Sequence, residues 1–340
     1  MRSIIERSSV AVGIVGAGTI ASTVHLPVLK NIPNARICWI ADIDGKLASE
    51  VGGAYGVASI PLDMGSPSLP PCDVALLAVP VHSRDAWMSH FAKARIPLLV
   101  EKPFAITERE HRDYLELFAD VPVACGYMRR TYIGIRSLRK IARDGWFGDV
   151  KRIRYSEGGR ITKTGFSSST LDLGYRKGGG VLRDLGCHGI DALMFITGAN
   201  EFQVSTCRIE WDGDTDRQVT TQFELGWGEG GRRGACPVDF SVSWIAEQDN
   251  RIEFDFETAS VSCSTRPDPE LLVRAPGSEQ GTGLSLDIHG ARSSYQAFYL
   301  EWEEFLAAVE KGGAGQFGAA TSLSTTRLVE AIYRVGGGQE

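Results

Sequence analysis

No stretch of the 340-residue chain is apolar for long enough to cross a bilayer. Its most apolar segments, such as Val74 to Val81, fall far short of the ~20 residues a membrane helix needs. Met1 to Ser9 carries Glu6 and lacks the apolar centre of a secretory leader, so a cytoplasmic protein with no membrane partner is expected. The cysteines are seven, an odd number, and are scattered without a single C-x-x-C pair. Neither a disulfide framework nor a zinc site is therefore expected, and no metal is assigned. Runs of one charge are also missing. Lys and Arg total 36 against 42 Asp and Glu, and a net charge of −6 spread along the chain offers a polyanion no binding face. Nucleic acid is not an expected partner. The remaining composition, 43% hydrophobic and 23% charged, is that of a globular protein with room for about two domains.

The densest information lies between Val10 and Asp42. Val10, Val12, Ile14 and Val15 make a β-branched run suited to a strand buried on both faces. Gly16-Ala17-Gly18-Thr19-Ile20-Ala21 follows as a G-x-G-x-x-A turn. Gly16 permits a tight reversal, Gly18 leaves room for a pyrophosphate, and Ala21 lets the next helix lie close to the strand. The free N–H groups at that helix start suit phosphate. A second strand, Arg36 to Ala41, ends in Asp42, about 20 residues past the turn and placed for a ribose 2′-hydroxyl. These features point to a dinucleotide. The Asp42 carboxylate would repel a 2′-phosphate, which favours NAD, with NADP as the alternative.

Further strands and helices alternate as far as Gly126, which predicts a doubly wound, largely parallel sheet. Expected pieces are a first helix from about Thr19 to Leu29 bent at Pro27, a helix over Gly45 to Gly53 and a strand over Ala54 to Ile60. A proline-rich loop over Met64 to Cys72 and a helix capped by Thr107 and Glu110 complete the set. Past Gly148, alternation such as Val219, Thr221, Phe223, Leu225 and Trp227 predicts an open, mainly antiparallel sheet with one covered face. Gly226 to Gly234 reads as a hairpin loop, and Arg266 to Ser285 as a surface segment. Two amphipathic helices close the chain. One carries Tyr295, Phe298, Tyr299, Trp302, Phe305, Leu306 and Val309 as its apolar stripe, and the other Leu328, Val329, Ile332 and Tyr333. The two domains are expected over residues 1–126 and 127–340, and the C-terminal helix could pack back on the first.

Ligands of open α/β sheets bind beyond the carboxyl ends of the strands. The glycine turn, Pro80-Val81-His82 and Glu101-Lys102-Pro103 all fall there, so Pro80, His82, Glu101 and Lys102 join the cofactor candidates. His82 has an alternative as a cap of the next helix. A second dense stretch, Gly178 to Asp191, leads from three glycines into a helix with Asp184, His188 and Asp191 at i, i+4 and i+7. This spacing describes either an exposed polar face or a histidine with a carboxylate one turn away, the arrangement a general base needs.

Together, G-A-G-T-I-A, the H-L-P-x-L of His25 to Leu29, Asp42, E-K-P at Glu101 to Pro103, G-Y-M-R-R at Gly126 to Arg130 and G-G-G-x-L-x-D-x-G-x-H-x-x-D at Gly178 to Asp191 resemble the Gfo/Idh/MocA oxidoreductases. The likeness runs over nearly the whole chain. It implies an N-terminal Rossmann domain and a C-terminal domain whose open sheet packs against a second subunit as a homodimer or homotetramer. It also implies a catalytic group of Lys102, Asp184 and His188, a cis peptide before Pro103, and a carbohydrate or polyol substrate. Tyr127 and Arg130 receive no catalytic role. The Ser/Thr-rich stretch from Arg160 to Arg176 is where substrate loops are expected. An NAD-dependent dehydrogenase of a sugar, aminosugar, nucleotide sugar or cyclitol is the leading expectation. A reductase of another small carbonyl or diol, a glycosidase using bound NAD, and a non-catalytic NAD-sensing regulator are the alternatives.

Overall fold

The computed structural model describes residues 9–62, 68–160, 173–228, 234–278 and 280–337. The first eight residues, the first part of the proline-rich loop, the centre of the Arg160–Arg176 stretch and the tip of the Gly226–Gly234 hairpin lie outside them. Two compact units are present. One comprises residues 1–104, 112–126 and 298–321, the other residues 105–111, 127–297 and 322–340.

The first unit holds β1 (Val10–Val15), α1 (Leu26–Leu29), β2 (Ala35–Asp42), α2 (Gly45–Tyr55), β3 (Ala58–Pro61), β4 (Val74–Leu77), α3 (Asp85–Ala94) and β5 (Leu98–Val100). The chain then forms α4 (Glu108–Leu117) and β6 (Val123–Cys125). The sheet is parallel throughout in the order β3-β2-β1-β4-β5-β6. β1 lies at its centre, so Val12, Ile14 and Val15 are fully buried and the continuous apolar run is explained. The ligand crevice of such a sheet opens where the order reverses, between β1 and β4. The helix following β1 starts at Thr19 and passes through a π turn, Ala21–His25, and Pro27 enters only in the first turn of α1. In place of the strand expected from Ala54, α2 continues to Tyr55 and stops at Gly56, whose φ of 67° ends the helix, and β3 starts only at Ala58. At α4, Thr107 Oγ1 accepts from the Glu110 N–H at 3.2 Å, while the Glu110 carboxylate takes the Ile106 N–H at 2.6 Å rather than that of the cap itself.

The second unit contains α5 (Ile133–Asp144), β7 (Val150–Gly158), α6 (Cys187–Thr197), β8 (Glu201–Asp212), β9 (Thr215–Trp227), β10 (Gly234–Ser243), β11 (Arg251–Phe256) and β12 (Ser260–Ser264). β13 (Leu271–Arg274), β14 (Gly281–Leu284), α7 (Ser294–Val309) and α8 (Leu323–Val335) complete the chain. Eight strands form one sheet in the order β14-β13-β12-β11-β7-β10-β9-β8, antiparallel except for β7 with β10. The Arg266–Ser285 stretch is thus no simple surface segment, since it supplies the last two strands on one side of the sheet. On β9, Val219, Thr221, Phe223 and Leu225 are buried, whereas Thr220, Gln222 and Glu224 are exposed. Tyr295 stands 46% exposed and drops out of the expected apolar stripe of α7. Among the described residues, no helix is long and apolar enough to cross a membrane.

The interior of this unit holds charge. Arg130 forks onto Asp191, its Nε donating at 2.8 Å, with both side chains almost fully buried. Arg129 makes a two-bond contact with Glu157 at 2.7 and 2.9 Å. Burial lifts the Asp191 carboxyl above its ordinary value despite the arginine beside it. A guanidinium has no neutral form to retreat to, whereas a carboxylate can take up a proton. Asp191→Ala should therefore cost stability on the order of 3–5 kcal/mol, and Arg130→Met measurably less. Urea unfolding of the two variants tests this, and an equal or reversed order would show that the protonation asymmetry does not set the cost.

Candidate active site

Gly16 has a φ of 98°, and a side chain there would run into the carbonyl oxygen of Ala78 on the neighbouring strand end. Gly18 meets nothing within 4 Å of a built Cβ, so the backbone just before the helix is open. An open, amide-rich turn of this kind fits a pyrophosphate. Asp42 holds the turn in place: Oδ2 accepts the Ala17 N–H at 2.7 Å, and Oδ1 the Asp44 N–H at 2.9 Å. Thr19 is exposed and Ile20 half-buried at the helix start. Lys46, exposed on the first turn of α2, reaches Glu50 at 3.8 Å.

Pro80 and His82 are exposed beyond β4, His82 on the short 3₁₀ turn Val81–Ser83. Arg84, at the N-cap of α3, makes no side-chain capping bond there. Arg84, missed in the sequence, is 2% exposed and organises this corner. It donates to Val79 O at 3.1 and 3.0 Å and also to the carbonyl oxygen of Pro103. Lys102–Pro103 is a cis peptide. Lys102 itself is partly buried at the end of β5.

Glu101, counted among the cofactor candidates, turns its carboxylate inward. Oε1 receives His25 Nε2 at 2.7 Å and Oε2 the Lys102 N–H at 3.0 Å. Burial pushes this carboxyl up, but the hydrogen bond from His25 and the positive charges of Lys102 and Arg84 outweigh burial, so it titrates below the ordinary carboxylate range. Trp302 in turn donates to His25 Nδ1 at 2.9 Å. His25 and Trp302 drew no functional attention in the sequence, where one belonged to the H-L-P motif and the other to an apolar stripe. The available signal was a histidine followed directly by the apolar run Leu26 to Leu29.

In the second unit, Gly178 to Gly180 leads into a π turn, Leu182–Gly186, that carries Asp184 and runs directly into α6 with His188. π turns interrupt helices most often at functional positions. The exposed polar face considered above is excluded, since His188 is 7% and Asp191 1% exposed, and Asp184 is half-buried. Asp191 belongs to the Arg130 pair. The His188 ring meets Tyr127 edge to face, 5.9 Å between centroids. Asp184 and His188 are thus brought together within one unit, while Lys102 belongs to the other.

Residues 10–127 match the oxidoreductase family with an NAD-binding Rossmann fold, and residues 135–262 match the Gfo/Idh/MocA C-terminal domain. The chain belongs to the Gfo/Idh/MocA family. It is an NAD(P)-binding oxidoreductase. Inositol 2-dehydrogenase of Rhizobium meliloti (strain 1021) is 24% identical over 332 residues, 96% of each chain. The fold is shared with an oxidoreductase from Agrobacterium radiobacter solved with NAD+, L-tartaric acid and magnesium (TM-score 0.79, 20% identity, 97% of both chains). It is also shared with a 3-ketoreductase from Actinomadura kijaniata solved with NADP and TDP-benzene (TM-score 0.80, 17% identity, 97% and 98%).

The Asp42 bonds give its substitution two effects. Asp42→Ala should narrow the preference for NAD over NADP, and by loosening the turn it should also weaken NAD by about tenfold, the scale of one lost charge-assisted hydrogen bond. Fluorescence titration of both cofactors checks it. Unchanged NAD affinity would mean that the clamp does not shape the turn, and tighter NADP binding by the unmodified protein would overturn the expected preference.

Proposed function

We propose that the chain is an NAD-preferring, cytoplasmic dehydrogenase of CH–OH groups. Its substrate is a secondary alcohol of a sugar, aminosugar, nucleotide sugar or cyclitol, or the matching ketone in the reverse direction. The observation that carries this reading is His188, a histidine withdrawn from water one helical turn from the Asp184 carboxylate. Such a pair suits proton transfer near neutral pH. The relatives named for inositol and for 3-ketoreduction support the substrate class.

When bound, the nicotinamide supplies the hydride acceptor for oxidation or the donor for reduction. His188 is assigned to hold and move the hydroxyl proton, and Asp184 to orient the ring or a neighbouring hydroxyl. Lys102 is assigned to bond the reacting oxygen and steady the charge developing there. On the cofactor side, Gly16, Gly18, Thr19 and Ile20 take the pyrophosphate, Asp42 the ribose hydroxyls, and Pro80 and His82 the nicotinamide end. Ile43, 68% exposed directly after Asp42, adds an apolar surface fit for adenine. In this reading residues 1–126 serve the cofactor, and residues 127–340 serve substrate and assembly.

Lys102→Ala and His188→Ala should each lower kcat by at least about 10²-fold while much of the NAD affinity survives, because neither belongs to the glycine turn or the ribose site. Turnover with a panel of polyols measures the first and titration the second. Near-normal turnover in both variants would move the chemistry elsewhere.

The exposed face of the large sheet, carrying Thr220, Gln222 and Glu224 on β9, is proposed to cover itself with a second copy in a dimer or tetramer. Sedimentation at micromolar concentration should give a species larger than the monomer. A pure monomer would remove the assembly from the reading.

A further inference from the structure

We propose that Trp302, His25 and Glu101 form a positioning chain for Lys102. This rests on the reading of Lys102 as the residue at the reacting oxygen. An indole N–H can only donate, and that of Trp302 donates to His25 Nδ1 at 2.9 Å. Nδ1 must then be unprotonated. The neutral ring carries its proton on Nε2, which donates to Glu101 Oε1 at 2.7 Å. The second carboxylate oxygen accepts the Lys102 N–H at 3.0 Å. A line of hydrogen bonds therefore joins α7, through the helix after the glycine turn, to the backbone of the lysine, with donors converging on the Glu101 carboxylate from both sides.

Its members are out of water. His25 and Trp302 have no exposure, and Glu101 is 8% exposed. Phe298 closes the side of the imidazole edge to face, with 5.2 Å between centroids. An apolar filling would serve stability at least as well, because a buried carboxylate costs free energy that its partners only offset. What the charged group adds is direction. The Glu101 carboxylate folds back under the next peptide and fixes the plane between residues 101 and 102, hence the bond along which the Lys102 side chain departs. It also keeps a negative charge beside that lysine, and small errors in placing such a group are expensive in rate. The indole sets the tautomer, the tautomer sets the carboxylate, and the carboxylate sets the lysine. Trp302, His25 and Glu101 are positioning residues, with no contact to the reacting atoms required of them.

Three variants separate positioning from packing. His25→Leu breaks both bonds, Trp302→Phe frees the ring to change tautomer, and His25→Gln can still accept from the indole and donate to Glu101 through its amide. His25→Leu and Trp302→Phe should lower kcat on the order of 10- to 100-fold with KM and NAD affinity held within about twofold, and His25→Gln should recover most of the loss. Equal losses in His25→Gln and His25→Leu, or a fall in melting temperature with kcat kept, would overturn the proposal.

A second measurement does not depend on turnover. In ¹⁵N-histidine-labelled protein, His25 should show the Nε2–H tautomer, and this fixed state should be lost in Trp302→Phe. With lysines reductively ¹³C-methylated, the Lys102 resonance, assigned by its loss in Lys102→Arg, should move in His25→Leu and return in His25→Gln. A resonance indifferent to both would sink the chain even in an active enzyme. The expected shifts in a protein inert toward every polyol would instead keep the chain and reject the substrate reading.

Discussion

A carboxylate removed from water has to be met by donors, and at Glu101 this requirement draws three distant parts of the chain into one place. His25 comes from the helix after the first strand, Lys102 from the end of β5, and Trp302 from α7, 277 residues beyond the histidine it bonds. Burial raises the cost of an unpaired charge and strengthens the bonds that satisfy it. The segment over residues 298–321 therefore belongs to the first unit, although its sequence lies far past that unit's last strand.

The cofactor end obeys a related rule with backbone in place of side chains. Gly16 is hemmed in by Ala78 and Gly18 faces open space, so one glycine serves the turn and the other serves whatever lies against it. Asp42 binds the turn through Ala17, so the acid expected at a ribose also clamps the backbone beside it. Arg84 performs the matching task across the crevice, tying the loop after β4 to the carbonyl oxygens around Pro103. Rigid backbone on both sides is what a site needs if a bound group is to be held within a fraction of an ångström.

The second unit places ionised groups inside its core and pairs each with a partner of fixed geometry. Arg130 with Asp191 and Arg129 with Glu157 flank the start of the helix that carries His188, and Tyr127 sits against the His188 ring. These are expensive contacts in a unit that could have been packed with leucine. A π turn lies just before His188 as well, an interruption found most often at functional positions.

Local pattern carried much of this protein in advance. A β-branched run, a G-x-G-x-x-A turn and an acid at a fixed distance are short-range features, and the strand, turn and helix they predict depend on neighbours in the chain, whereas the Asp42 clamp on Ala17 appeared only in the fold. Alternation on β9 likewise declared its covered face, because side chains on a strand point to opposite sides by geometry alone. Residue type flagged Lys102, Asp184 and His188, but not that His188 would be buried or that Asp191 would leave the polar stripe for Arg130. Nor could sequence place β13 and β14, whose four-residue segments become strands only when β12 offers an edge to receive them. The His25 tautomer was beyond it altogether. A tautomer is chosen by the donor that faces the ring, and that donor, Trp302, meets His25 only once the chain has folded.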